Sequence, residues 1–202
     1  MHAATDRHRT LKLARRSRGV TSRELTDAGI HRQVLTRLVA EGHIERIARG
    51  FYRLAEQPVT EHHGLAIAAT AVPHGVVCLL SALQFHDIGT QLPAEVWIAL
   101  DRRAWRPVLS YPLLRMVRFT GEALTRGVEH HTIEGRTVKV YSVAKTIADC
   151  FKYRNKIGVD VALEALREAW RRRRLTMDEL DSYAATCRVH RVMRPYLEAL
   201  AA

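Results

Sequence analysis

The sequence predicts an α+β chain in two parts, and three observations lead to that reading. Short helical patterns separated by glycines fill residues 7–41, and a strand–turn–strand pattern follows at once over 44–54. The stretch "AEQPVT" at 55–60 interrupts the patterning and reads as a linker. Beyond it, strand-like and helical runs mix, and the chain closes on helices. The expected organisation is a small helical module with a hairpin at 1–54, a linker at 55–60, and a mixed α/β domain at 61–202. Roughly 140 residues is an ordinary domain size for the last part.

Composition narrows the function classes. Of 202 residues, 47% are hydrophobic, which supports a folded core rather than a disordered chain. The longest apolar runs, near 65–73 and 76–80, are too short to cross a bilayer. The opening "MHAATDRHRT" lacks the apolar segment of a secretory signal, so a cytoplasmic protein without membrane contact is expected. Cys78, Cys150 and Cys187 are odd in number and without CxxC spacing, which suits reduced thiols. The net charge of +11 suits a polyanionic partner. Residues 1–54 hold 12 Lys+Arg against 5 Asp+Glu, so the positive field is densest in the first quarter.

A first helix is expected over 7–17, with Leu11, Leu13 and Ala14 as its apolar contacts and Gly19 as its stop. "TSRE" at 21–24 matches a capping box, Thr21 closing the first turn and Glu24 reaching back to the Thr21 amide. That helix runs to Ala28 and breaks at Gly29. A second spans about 31–41, with Val34, Leu35, Leu38 and Val39 inward, and ends at Gly42. In the hairpin, Tyr52 and Leu54 alternate and can pin it to the helices, while Gly50 provides the positive φ of a tight turn. The run 44–47 does not alternate cleanly, so its register stays open.

Helix, glycine turn, helix and hairpin together make a winged helix-turn-helix, and double-stranded DNA is the expected partner. Arg32, Gln33, Thr36 and Arg37 lie on the outer face of the second helix. Arg pairs with guanine and Gln with adenine in two-bond geometry. Thr21, Ser22 and Arg23 could hold phosphates from the preceding helix start. Arg49 and Arg53 of the hairpin could meet a phosphate or a minor groove. The bland alternative is a solvated basic face on a module that contacts only protein.

Over 61–202, helices are expected at 65–72, 81–86 and from Ser142 to about Tyr153. A helical stripe of Val159, Ala162, Leu163, Leu166 and Trp170 follows. "TMDE" at 176–179 opens another helix, and a last one follows Val192. Strands are expected at 95–100 and 113–119, and a hairpin over 129–142 turns at Glu134-Gly135. "RRRR" at 171–174 suits either a nucleic acid or a solvated helix C-terminus. Arg102, Arg103 and Arg106 around Trp105 suit an acidic partner or a solvated turn equally. His62-His63 and His130-His131 lack the spacing of a metal site. Ser142, Lys145 and Asp149 share a helix face, yet serve better as an N-cap and an i,i+4 pair than as a nucleophile. With no P-loop, GxSxG or paired carboxylates, no enzyme, cofactor or metal is expected.

Two stretches carry a resemblance. "GVTSRELTDAGIHRQVLTRLVAEGHIERIARGFYRL", with its "L.RLV..G.I.R..RG.Y.L" frame, is similar to the N-terminal winged helix of AbiEi-type abortive-infection antitoxins of type IV toxin–antitoxin systems. "SAL" at 81–83 and "VYSVAKTIADCFKYRNKIG" at 140–158, followed by paired helices, resemble the same family's C-terminal domain. The resemblance implies a transcriptional repressor of its own operon that counteracts a co-encoded nucleotidyltransferase-like toxin. It implies a winged helix bound to promoter inverted repeats through Arg32, Gln33, Thr36, Arg37 and Arg49, and a C-terminal domain that carries the antitoxin activity and assists cooperative binding. A solitary regulator, or an antitoxin that touches its toxin directly, are the alternatives.

Overall fold

The computed structural model describes residues 2–16, 19–48, 50–56, 60–109 and 111–201. Contacts divide the chain into two compact units. The first comprises Met1–Pro73, Pro107–Leu113 and Thr132–Val138; the second comprises His74–Arg106, Leu114–His131 and Lys139–Ala202. Among the described residues no helix is long and apolar enough to cross a membrane.

In the first unit, α1 (His2–Arg16) leads to β1 (Val20–Thr21), α2 (Ser22–Asp27), α3 (Gln33–Ala40), β2 (Ile44–Ala48), β3 (Phe51–Leu54) and α4 (His63–Ala71). The three strands pair in the order β1-β3-β2, all antiparallel. Ala14, Val20, Leu25, Ile30, Leu35, Leu38 and Ile44 form one core, which Tyr52 and Leu54 flank as their alternation predicts. The opposite face of β3 is covered too, since Phe51 is buried with Ala48 and with Ile67 of α4. Three expectations need correction. First, α1 begins at His2 rather than at residue 7, and it buries Thr10 and Ala14 completely. Second, Val39 is not inward but 38% exposed, because one step of about 100° past buried Leu38 carries it off the core. Third, β1 is a strand only by its pairing with β3; two residues carry no readable period. The unclear alternation at 44–47 has its cause in a register shift between Arg46 and Ala48, which leaves Ile47 as an extra residue.

The second unit contains β4 (Val76–Val77), α5 (Leu79–Phe85), β5 (Val96–Asp101), β6 (Leu114–Phe119), α6 (Glu122–Thr125), α7 (Val143–Lys152), α8 (Arg154–Ile157), α9 (Val159–Arg171), α10 (Met177–Cys187) and α11 (His190–Ala201). Strands β7 (Val128–Ile133) and β8 (Arg136–Tyr141) form the expected hairpin, turning at Glu134-Gly135, and that turn is counted with the first unit. The sheet order is β6-β5-β4-β8-β7. It is mixed: β5 is parallel to β6, and β4 is antiparallel to β5 but parallel to β8. Leu83, Ile88, Phe119, Ile147, Phe151, Leu166, Leu180 and Met193 belong to its core. In α9 the buried stripe is Val161, Ala162, Ala165, Leu166 and Ala169, so the expected stripe is turned and Val159 stands 42% exposed. Helix α11 starts two residues before Val192.

Helix α7 is the most deeply buried helix start-to-end among the described ones, from Val143 to Phe151. Ser142 caps it, accepting from the Lys145 amide, as expected. The expected Lys145–Asp149 pair is present at 2.5 Å, with both side chains fully buried. The Lys145 ammonium also lies 4.1 Å from the Tyr141 ring centre and 4.8 Å from that of Phe119. Asp149 Oδ1 accepts from the Cys187 thiol at 3.2 Å, and burial pushes that thiol up to about 12. All three cysteines are free and buried. A buried pair of this kind contributes little net stability when intact, but removal of one partner strands a charge. Asp149→Ala is therefore expected to cost about 3–5 kcal/mol in urea unfolding, while the double change Lys145→Met with Asp149→Leu recovers most of that loss. A single variant as stable as the parent would contradict this assignment.

Candidate nucleic-acid interface

The geometry of α2 and α3 begins at one carboxylate. Thr21 is the N-cap of α2, and its hydroxyl accepts from the Glu24 amide at 3.1 Å. Glu24 Oε2 in turn accepts from the Thr21 amide at 2.6 Å and the Thr21 hydroxyl at 2.9 Å, completing the box. The same carboxylate receives Arg136 from the start of β8, at 2.5 and 3.1 Å. Arg136 also donates to the Gly19 carbonyl at 2.7 Å and lies 5.2 Å from the Phe51 ring centre. Burial alone would raise the Glu24 carboxyl, but the bonds from Arg136 and Thr21 outweigh it and hold the group below the usual glutamate range. One turn away on the hairpin, Glu134 accepts from Thr60 at 3.0 and 2.8 Å and meets His63 Nδ1 at 2.7 Å, which lowers it in the same way against burial.

Between the two helices the chain turns through Ala28 and Gly29, and buried Ile30 fixes the exit. Arg9 of α1 donates to the Ala28 carbonyl at 2.7 Å and steadies that turn. Leu35 and Leu38 then seat α3 on the core, so its other side must face outward. Arg32, Gln33, Thr36 and Arg37 are all exposed there. Gln33, Thr36 and Arg37 follow the i, i+3, i+4 spacing of one helix face, and Arg32 occupies the N-cap position. Neither Arg32 nor Arg37 has an ion pair among the described residues. The structure thus brings these four side chains together on one solvent-facing surface.

The remaining expected residues are placed differently. Thr21 spends its amide and hydroxyl on the cap, and the Ser22 amide donates to the Gly50 carbonyl at 2.8 Å. Arg23 stands 91% exposed, with Asp27 at 3.9 Å. Arg53 is tied to Glu45, its direct partner across β2 and β3, so its charge is already matched. Gly50 has the positive φ expected of the turn, at 77°. Arg49 lies outside the described residues. Two arginines that bear on this surface went unread in the sequence. Arg46 is exposed on β2 without an ion pair among the described residues, and it went unnoticed because the strand's register was unreadable. Arg136 lies more than a hundred residues from Glu24, a separation that no local pattern bridges. No group of three His, Cys, Asp or Glu among the described residues could hold a metal ion.

Residues 8–55 match the family model described as a transcriptional regulator, AbiEi antitoxin. This segment, a winged helix, is similar to those of AbiEi-type transcriptional regulators. The match runs from within α1 to one residue beyond β3, so it takes in every expected contact residue. No curated protein matches the chain. The matching family is one of transcriptional regulators, and the α3 face here carries no ion pair among the described residues.

The lowered Glu24 carboxyl sets an expected pH response. A group depressed on folding contributes stability that is present above its unfolded value, ordinarily near 4.5, and is lost as pH falls through the folded one. Glu24→Gln should accordingly flatten the acid limb of stability. Urea midpoints taken from about pH 6 to about pH 3 would show a shallower fall than in the parent; parallel curves would contradict the assignment.

Proposed function

We propose that this protein is a DNA-binding repressor of its own promoter and the antitoxin of a type IV toxin–antitoxin system. The observation that supports this best is the α3 face: Arg32, Gln33, Thr36 and Arg37 exposed together on an AbiEi-type winged helix. In this reading α3 enters the major groove, where Arg37 and Gln33 meet base edges and Arg32 and Thr36 flank them. Arg23, Arg46 and Arg49 meet phosphates, which position the module without reading sequence. Thr21 and Arg53 shape the surface rather than touch the duplex, since their donors are engaged within the fold, whereas Ser22 spends only its amide there and offers its hydroxyl to a phosphate. Two copies bind inverted repeats about one helical turn apart, roughly 10 bp, and do so cooperatively. The second unit carries the antitoxin activity against a co-encoded nucleotidyltransferase-like toxin.

Fluorescence anisotropy with the protein's own upstream region, against scrambled DNA of the same length, tests the repressor reading. Affinity should exceed that for the scramble and fall with salt at a log–log slope of about −0.9 per phosphate neutralised. Arg37→Ala should weaken specific binding by roughly 1–3 kcal/mol and leave the scramble nearly unchanged. Arg46→Ala should weaken both alike and reduce the slope by about 1. Equal affinity of the parent for both DNAs would overturn the reading.

A further inference from the structure

A polar cleft in the second unit has no part in the interface above. It has a volume of about 500 Å³, within the usual span of small-molecule sites, and Thr120, Gly121, Glu122, Lys152, Thr186 and Arg188 line it. We propose that this cleft binds the phosphoryl groups of a small phosphorylated molecule, with Lys152 and Arg188 as its cationic contacts.

Two cations face one concave surface, and among the described residues neither has an ion pair. Lys152 lies three residues beyond Asp149 on α7, but that carboxylate is already matched by Lys145. Its ammonium lies 5.4 Å from the Phe119 ring centre instead. The acidic wall residue, Glu122, leans to Arg126 at 4.0 Å. The Thr186 hydroxyl is engaged as well, donating to the Ser182 carbonyl at 3.0 Å and accepting from Arg126 at 2.6 Å. Thr120 is exposed and makes no such bond among the described residues. Among the described residues Lys152, Arg188 and Thr120 are thus left without a hydrogen bond or ion pair from their side chains, a set that suits phosphoryl oxygens.

The backbone adds an independent argument. Arg188 closes α10 in the left-handed conformation, with φ 59° and ψ 41°, and the Val189 amide bonds back to the Ala184 carbonyl at 2.8 Å. That position of a helix-ending motif favours glycine, and an arginine there is strained. Strain of this kind gathers at functional positions, where the side chain is worth more than the backbone loses. Across the cleft, Gly121 turns the chain from β6 into α6 at φ 56° and ψ −140°, a region that glycine enters readily and other residues avoid.

The test uses the full chain with inorganic phosphate, pyrophosphate and ATP as probes, read by thermal shift and isothermal titration at matched ionic strength. Saturable binding of at least one probe is expected, with chloride giving none. Equal affinity for pyrophosphate and ATP would assign the site to phosphoryl groups alone, and tighter ATP binding would extend it to the nucleoside. Lys152→Met should weaken binding roughly ten- to hundredfold. Arg188→Gly should melt above the parent, because the strain is relieved, and yet lose the ligand-dependent rise. Arg37→Ala should keep that rise, which separates this cleft from the α3 face. No saturable binding of any probe, or a rise that survives both cleft variants, would overturn the proposal.

Discussion

The first unit depends on the Glu24 carboxylate, which does two jobs with one group. It caps α2 from within, through Thr21, and it receives Arg136 from the start of β8. Because Arg136 also holds the Gly19 carbonyl and lies near the Phe51 ring, the residue leading into β1, the start of α2 and the last wing strand converge on one ion pair. The half-exposed carboxylate gains from this concentration of donors, since charge-assisted bonds to a single group reinforce its orientation. The direction in which α3 points follows from that start and from Ile30, Leu35 and Leu38 beneath it.

A division among the arginines follows. Arg9, Arg53 and Arg136 are spent inside the fold, on a turn carbonyl, a cross-strand glutamate and the α2 cap. Arg32, Arg37 and Arg46 carry no such partner among the described residues and stand exposed. A surplus of positive charge over 1–54 therefore does not spread evenly; the carboxylates of the module neutralise the structural cations and leave the outward ones unmatched. Unmatched cations beside a helix face are the electrostatic footprint a duplex would meet. In the second unit the same chemistry is used oppositely, with Lys145 and Asp149 buried against each other and against aromatic rings.

Local signals in the sequence were sufficient where chemistry is local. Both capping boxes, the Ser142 cap, the Glu134-Gly135 turn and the Lys145–Asp149 pair depend on neighbours within a few residues. The α3 face was legible for the same reason, since Leu35 and Leu38 fix which side is inward. Elements defined by distant partners were not legible. Strands β1 and β4 have two residues each and exist through pairing. The sheet order, with β4 between β5 and β8, has no trace in periodicity. Arg136 looked like an ordinary hairpin residue, and Arg53 looked free until Glu45 was placed opposite it.

Amide chemical-shift mapping of the full chain against a duplex from its own upstream region tests the central claim most directly. The account predicts that perturbations gather on Arg32, Gln33, Thr36 and Arg37 of the α3 face and on Arg46 of the wing, and that they shrink as salt rises. Perturbations confined to the second unit, with the α3 amides unmoved at saturation, would contradict it.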